Sequence, residues 1–213
     1  MKDDLQLNQA QNIRSEARLK LRDAILDSAR NLAIDRGWSD VRMGQIASAV
    51  GISRQSLYTE FGDKEELGKK MVIRESSRFF DGIRAALNAH PTDLVAAVQS
   101  AVELTLREAY SDPLLHSILT NARGGDSSLI RSLTTESAPI LNGASEVILN
   151  YVRSNHPLLP EDLVLDVVDS IIRLTVSHLV LPVEEPEIVA KRLARLTALV
   201  VNASVGASVQ PEF

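Results

Sequence analysis

The chain has 213 residues, 45% of them apolar and none of them cysteine, and a formal net charge of −5. That apolar content suffices for a buried core, while the lack of cysteine excludes disulfides and thiolate-bound zinc, and with them a secreted disulfide scaffold. No run reaches the roughly 18 apolar residues of a membrane span, and the opening residues lack the apolar core of a signal peptide, so a cytoplasmic protein away from membranes is expected.

Residues 1–14 are polar without a stable apolar face and read as a flexible or partly helical arm. The first firm helix is predicted over about 18–35, with Leu21, Ala24, Ile25, Ala29, Leu32 and Ala33 at helical spacing and Gly37 as its stop. A short helix over about 43–50 follows, then Gly51 for a tight turn, then Ser53 as the N-cap of a helix through about Phe61. Two helices this short are unstable alone and must pack on the first, which makes residues 15–62 a three-helix unit. Gly62 breaks the chain, and Asp63 with Glu66 opens a long helix to about Ala89. Further helices are predicted over 92–110, 113–121, 127–154, 161–180 and 185–204, divided by Pro and Gly punctuation. The expected fold is all-α, about nine helices, with residues 63–213 forming a second domain.

Charge is unevenly distributed. Between Arg14 and Tyr58 there are eight basic and five acidic residues, whereas from Met71 onward eleven basic face seventeen acidic. A positive front end on a negative chain assigns any DNA contact to the front. The stretch from Gln45 to Phe61 has helix-turn-helix grammar: Ala47 where two helices cross closely, Gly51 at the turn, Ile52 plugging the core, and Leu57 packing inward. Burying Ile52, Leu57 and Phe61 leaves Arg54, Gln55, Ser56, Tyr58 and Thr59 facing outward from a recognition helix.

These residues, continuing into Gly62-Asp63-Lys64-Glu65-Glu66-Leu67, resemble the signature of the TetR family of bacterial repressors over about Leu21 to Leu67. The resemblance implies that Tyr58 and Lys64 hold phosphates while residues of the recognition helix reach bases. Arg54 can fork onto a guanine and Gln55 can read an adenine; Arg42 and Gln45 are the next candidates, and Ser53, Ser56 and Thr59 share the surface. Two positions depart from the family pattern. Gly44 stands where a basic or polar residue is frequent, and Arg42 where a small hydroxyl residue is common, so the phosphate contact there is expected to have moved to Arg42.

A two-fold operator needs a dimer. The helix over 161–180 reads as apolar nearly all round and the last helix carries a broad stripe. Val164, Val168, Ile171, Leu193, Leu196 and Val200 are therefore expected in a four-helix homodimer interface, as the resemblance also implies. Between the middle helices, Val102, Leu106, Leu115, Ile118, Leu119, Leu141, Ala144, Ile148 and Tyr151 are expected to wall a ligand pocket. Arg107, His116, Asn121, Arg173, Thr175 and His178 are the candidates to orient a head group. Aliphatic walls favour an alkyl or long-chain acyl effector that releases DNA. Asp162, Asp166 and Asp169 share one helical face and read as solvated; no catalytic residue, metal site or cofactor is expected. A ligand-independent DNA-binding regulator, and an all-α lipid-binding protein or enzyme, are the alternatives. The helix-turn-helix argues against the last two, and a pocket would argue against the first.

Overall fold

The computed structural model describes residues 2–120 and 138–207, with side chains over 12–116 and 141–203. Nine α-helices and no strand occur among the described residues: α1 (Lys2–Arg36), α2 (Met43–Val50), α3 (Arg54–Phe61), α4 (Lys64–Asn88), α5 (Leu94–Ser111), α6 (Pro113–Thr120), α7 (Ala138–Asn155), α8 (Glu161–Val180) and α9 (Pro186–Ala207). The chain divides within α4 into two compact units, one reaching Ile73 and the other starting at Arg74.

In the first unit, α1 buries Ile25, Leu26 and Ala29 at helical spacing and packs against α2. It stops at Gly37, whose positive φ of 79° turns the chain into a single 3-10 turn, Trp38–Asp40, that buries Trp38. α2 contributes Met43, Ile46 and Ala47 to the buried set, α3 contributes Leu57 and Phe61, and the start of α4 contributes Leu67 and Met71. α1 begins sixteen residues before the expected Arg18. Over residues 12–20 it is exposed throughout, so it is a helix by local propensity and not by burial.

In the second unit α5 is central. One of its faces, with Ala97 and Ala101, joins Phe79, Ile83 and Leu87 of α4, Tyr151 and Val152 of α7, and Val164, Val168 and Ile172 of α8 in one core cluster. The next face, with Val98, Val102, Leu106 and Ala109, packs on Val189, Ala190, Leu193 and Ala194 of α9 together with Ile171 and Leu179 of α8. The small residues let α5 and α9 lie close. Capping is local: the Asp93 carboxylate accepts from the Ala96 N–H at 2.9 Å, and the Asp112 carboxylate accepts from the Leu114 and Leu115 N–H groups at 3.0 and 3.2 Å. Asn121 and residues 122–137, including the expected start of the 127–154 helix, lie outside the described residues.

Candidate nucleic-acid interface and ligand cavity

Gly51 adopts φ 76° and ψ 30°, the left-handed region, and the following Ile52 N–H returns to the Ala47 carbonyl at 3.0 Å. This closes α2 and starts the turn. Ser53 then caps α3: its Oγ accepts from the Ser56 N–H at 3.0 Å and lies 2.8 Å from the Ser56 hydroxyl. With Leu57 and Phe61 almost wholly buried, the azimuth of α3 is fixed, and Arg54, Gln55, Ser56, Tyr58 and Thr59 are exposed as the sequence indicates. The exposed groups are not equivalent. The Thr59 hydroxyl donates to the Gln55 carbonyl at 2.9 Å, and Ser53 and Ser56 are engaged with each other. The long outward side chains of α3 are Arg54, Gln55 and Tyr58, the last 51% exposed.

Two neighbouring candidates are held by the fold. Gln45 reaches back to the start of α2, where its Oε1 accepts from the Arg42 N–H at 2.8 Å, while Arg42 itself is exposed. Lys64 donates to the Ser39 carbonyl at 2.9 Å and its ammonium stands 5.2 Å from the centre of the Trp38 ring. A cluster that the sequence did not reveal supports α3 from within. Arg18 and Arg22 of α1 both donate to Glu60, at 3.0 and 2.5 Å, and Arg22 also lies over the Phe61 ring at 5.1 Å. Lys70 donates to the Phe61 carbonyl at 3.2 Å. Gly44, noted only as a departure from the family pattern, faces the Arg54 guanidinium.

The second unit contains a cavity of about 100 Å³, bounded by the second half of α4 and by α5, α7, α8 and α9. Among the described residues its wall is aliphatic apart from Phe79, Phe80 and three threonines. Each threonine hydroxyl donates to a carbonyl four residues back on its own helix: Thr105 to Ala101 at 2.8 Å, Thr175 to Ile171 at 2.7 Å, and Thr197 to Leu193 at 3.0 Å. Among the described residues no charged side chain lines it.

Of the expected pocket residues, Val102, Leu141, Ala144, Ile148 and Thr175 line this cavity. Leu106 is fully buried in the α5–α9 core and Leu115 in the other cluster, both behind the wall. Tyr151 is turned to an outer polar groove with Arg84 and Asn150, and its hydroxyl donates to the His90 carbonyl at 2.6 Å. Burial, then the nearby Asp93 carboxylate, push its pKa up and keep it a neutral donor. His178 is half-buried outside the cavity wall, and its carbonyl accepts from the Tyr110 hydroxyl at 3.0 Å. The side chains of Ile118 and Leu119 lie outside the described residues. Among the expected head-group residues, Arg107 pairs with Glu103 and Glu187, and Arg173 pairs with Asp169, all on the exterior; His116 is not part of the wall either.

The expected interface residues separate into two sets. Val164, Val168 and Ile171 face inward and line the cavity, and Leu193 is buried against α5. Leu196 and Val200 are 42% and 45% exposed, together with Leu165, Leu174, Ile188 and Leu199. The cause is geometric: a helix apolar on several faces turns one of them to its own core, and spacing does not say which. The outward face of α8 also carries Asp166, Asp169 and Arg173, so it is not apolar all round.

Comparison with known proteins gives a consistent picture. A family model described as bacterial regulatory proteins, tetR family, matches residues 25–71, and one described as bacterial tetracyclin repressor, C-terminal domain, matches residues 93–198. The chain is 33% identical over 180 residues to the HTH-type transcriptional regulator AlkX of Mycobacterium tuberculosis, covering 84% of each. It is 33% identical over 82 residues to the HTH-type transcriptional activator FasR of Mycolicibacterium smegmatis, covering 38% of this chain and 37% of that one. A solved structure of the TetR family repressor AlkX from Dietzia sp., implicated in biodegradation of n-alkanes, superposes with a TM-score of 0.63 at 28% identity, covering 84% of this chain and 97% of that one.

Proposed function

Because the chain belongs to the TetR family of bacterial transcriptional regulators and carries its DNA-binding helix-turn-helix, we propose that it is a repressor released from a two-fold operator by an aliphatic small molecule held in the cavity of its second unit. The carrying observation is the described cavity wall: aliphatic side chains, with the hydroxyls of Thr105, Thr175 and Thr197 each donating within its own helix. Among the described lining residues a buried carboxylate would find no free donor and an ammonium no carboxylate, and an unpaired buried charge is costly. The part of the effector that enters is therefore a hydrocarbon chain, with any polar head left outside. The names of the two AlkX relatives, one a repressor implicated in n-alkane biodegradation, support this reading.

On DNA, Arg54 and Gln55 read bases, while Tyr58, Arg42 and Lys64 contact phosphates, Lys64 after leaving the Ser39 carbonyl. Two copies assemble through the exposed apolar residues of α8 and α9, including Leu174, Ile188, Leu196 and Leu199. The helix α4 carries the signal, since it begins directly after the recognition helix and lines the cavity with Ile83 and Leu87.

The test is release of a fluorescent operator duplex by free fatty acids and their neutral methyl esters of increasing chain length. Potency should rise with each methylene, by up to about 0.8 kcal/mol, and the ester should match the acid. Tightening of DNA binding in place of release would turn the reading towards an activator, as the name of the FasR relative has it. Independence of chain length would reject the hydrocarbon effector.

A further inference from the structure

We propose that Gly44 is a specificity-determining residue: by carrying no side chain it lets the Arg54 guanidinium lie against α2, and so sets which base pair Arg54 reads. The inference rests on the DNA-binding reading above. A Cβ built on Gly44 would stand 2.7 Å from Arg54 Nε and Nη2 and 2.8 Å from Cζ. All three atoms belong to one planar group, so the guanidinium is packed against the backbone of α2 at a separation that no side chain at position 44 would allow.

The backbone does not itself require glycine there. Among the described residues the glycines with positive φ are Gly37, Gly51 and Gly62, whereas Gly44 lies within α2. Gly44 is the second residue of α2, and within the first turn alanine is still the better helix former, so glycine there calls for a packing or functional reason. The contact with Arg54 supplies one. Arg54 is exposed on the first turn of α3, and among the described residues no carboxylate or carbonyl holds its guanidinium. In the same unit Arg18 and Arg22 hold Glu60, Lys64 holds the Ser39 carbonyl and Lys70 the Phe61 carbonyl. Arg54 is thus a cation of the recognition helix whose guanidinium rests against α2 while its donors stay available. A planar fork that rests on a helix backbone recognises a guanine edge bidentately with less loss of freedom than one extended in solvent.

Alanine at position 44 would push the guanidinium aside and leave the fold intact, because Arg54 is a flexible side chain at the surface. Gly44 is therefore a positioning residue acting through Arg54, and its effect should vanish when Arg54 is gone. The experiment first selects operators from a randomised duplex library with the wild-type protein. It then measures the affinities of wild type, Gly44→Ala, Arg54→Ala, Arg54→Lys and the double variant Gly44→Ala/Arg54→Ala. Each is titrated against the selected duplex and its single-base variants, at several salt concentrations.

Gly44→Ala is expected to retain or raise Tm and to keep the salt slope. It should lose about tenfold in affinity for the preferred base pair at one position, and so flatten the preference there. Arg54→Lys should flatten the same position while keeping its charge. In the Arg54→Ala background, adding Gly44→Ala should change nothing. An equal loss in both backgrounds would mean that Gly44 serves approach of the DNA backbone and not Arg54, and would overturn the proposal. So would an unchanged base preference in Gly44→Ala. A wild-type protein that enriches no duplex at all would instead remove the DNA-binding reading itself, a result distinct from either.

Discussion

Glu60 sits on the inner side of the recognition helix, where Arg18 and Arg22 of α1 converge on its carboxylate. Burial opposes its ionisation, but the hydrogen bonds and charges of the two arginines outweigh burial and hold its pKa below the usual glutamate range. Arg18 is 67% exposed and Glu60 15%, so the link is screened on one side and is worth about 1 kcal/mol. Glu60→Gln is expected to lower the Tm of the first unit by a few degrees and to weaken operator binding, because α3 loses its brace to α1. The pH dependence follows from the sign of the shift. A carboxylate whose folded pKa is depressed adds stability that is fully present above its unfolded pKa and is lost as the pH falls through the folded value. The Tm gap between wild type and Glu60→Gln should stay constant near neutrality and close on acidification. A gap undiminished in acid would mean that the substitution disturbs packing and not the ion pair. No local pattern in the sequence announces this brace, since its partners are 38 and 42 residues away. Gly44 was legible only as an oddity, because its reason is a side chain on another helix.

Among the elements, the turn between α2 and α3 was readable from sequence because every interaction that makes it is local: Gly51 in the left-handed region, Ile52 bonded to Ala47, and Ser53 to Ser56. The two glycines bounding α3 are expected to differ in cost. At Gly51 an added Cβ meets nothing within 4 Å, so Gly51→Ala should cost only the left-handed backbone penalty of about 1–2 kcal/mol. Asparagine, which tolerates that region, should recover most of it. Gly62 has φ 79° but ψ −138°, close to a region essentially confined to glycine, so Gly62→Ala should cost up to about 3 kcal/mol, with no rescue by asparagine. Urea unfolding of the four variants measures the order, and a milder Gly62→Ala would refute the backbone argument. Elements whose role depends on neighbours were less legible. Periodicity located the apolar stripe of α8, yet Val164, Val168 and Ile171 wall the cavity of their own subunit while Leu165 and Leu174 face out. Two of the polar candidates lie away from the cavity for a similar reason. Arg107 and Arg173 find carboxylates on the exterior, which composition cannot assign.

On the scale of the whole molecule, reading two half-sites requires two recognition helices, so self-association and operator affinity must be linked. Leu199 is 61% exposed in the single chain. Leu199→Glu should therefore keep the helical fold while producing monomers in sedimentation, with a Tm that no longer rises with protein concentration, and weakening operator binding at least about tenfold, equivalent to 1.4 kcal/mol. Ile171→Asp would instead unfold the second unit, since Ile171 is buried in its core; a dimeric Leu199→Glu variant would move the interface elsewhere. The effector prediction couples the remaining parts. If a hydrocarbon chain lowers operator affinity tenfold, operator DNA must weaken effector binding by the same factor, because the coupling free energy between two sites is reciprocal. Ala144 lines the cavity from α7. Ala144→Phe fills part of the space the chain would occupy and should reduce effector affinity at least about tenfold, the scale of one or two lost methylene contacts, without changing operator affinity in the absence of effector. Calorimetric titration of a long-chain methyl ester into wild type and Ala144→Phe, each with and without saturating operator, yields all four affinities. The wild type should lose affinity on adding operator by the same factor that the ester reduces operator binding. Equal ester affinity with and without operator, alongside clear ester-driven release, would mean that the binding the calorimeter detects is not the binding that releases DNA, and would remove the cavity as the effector site.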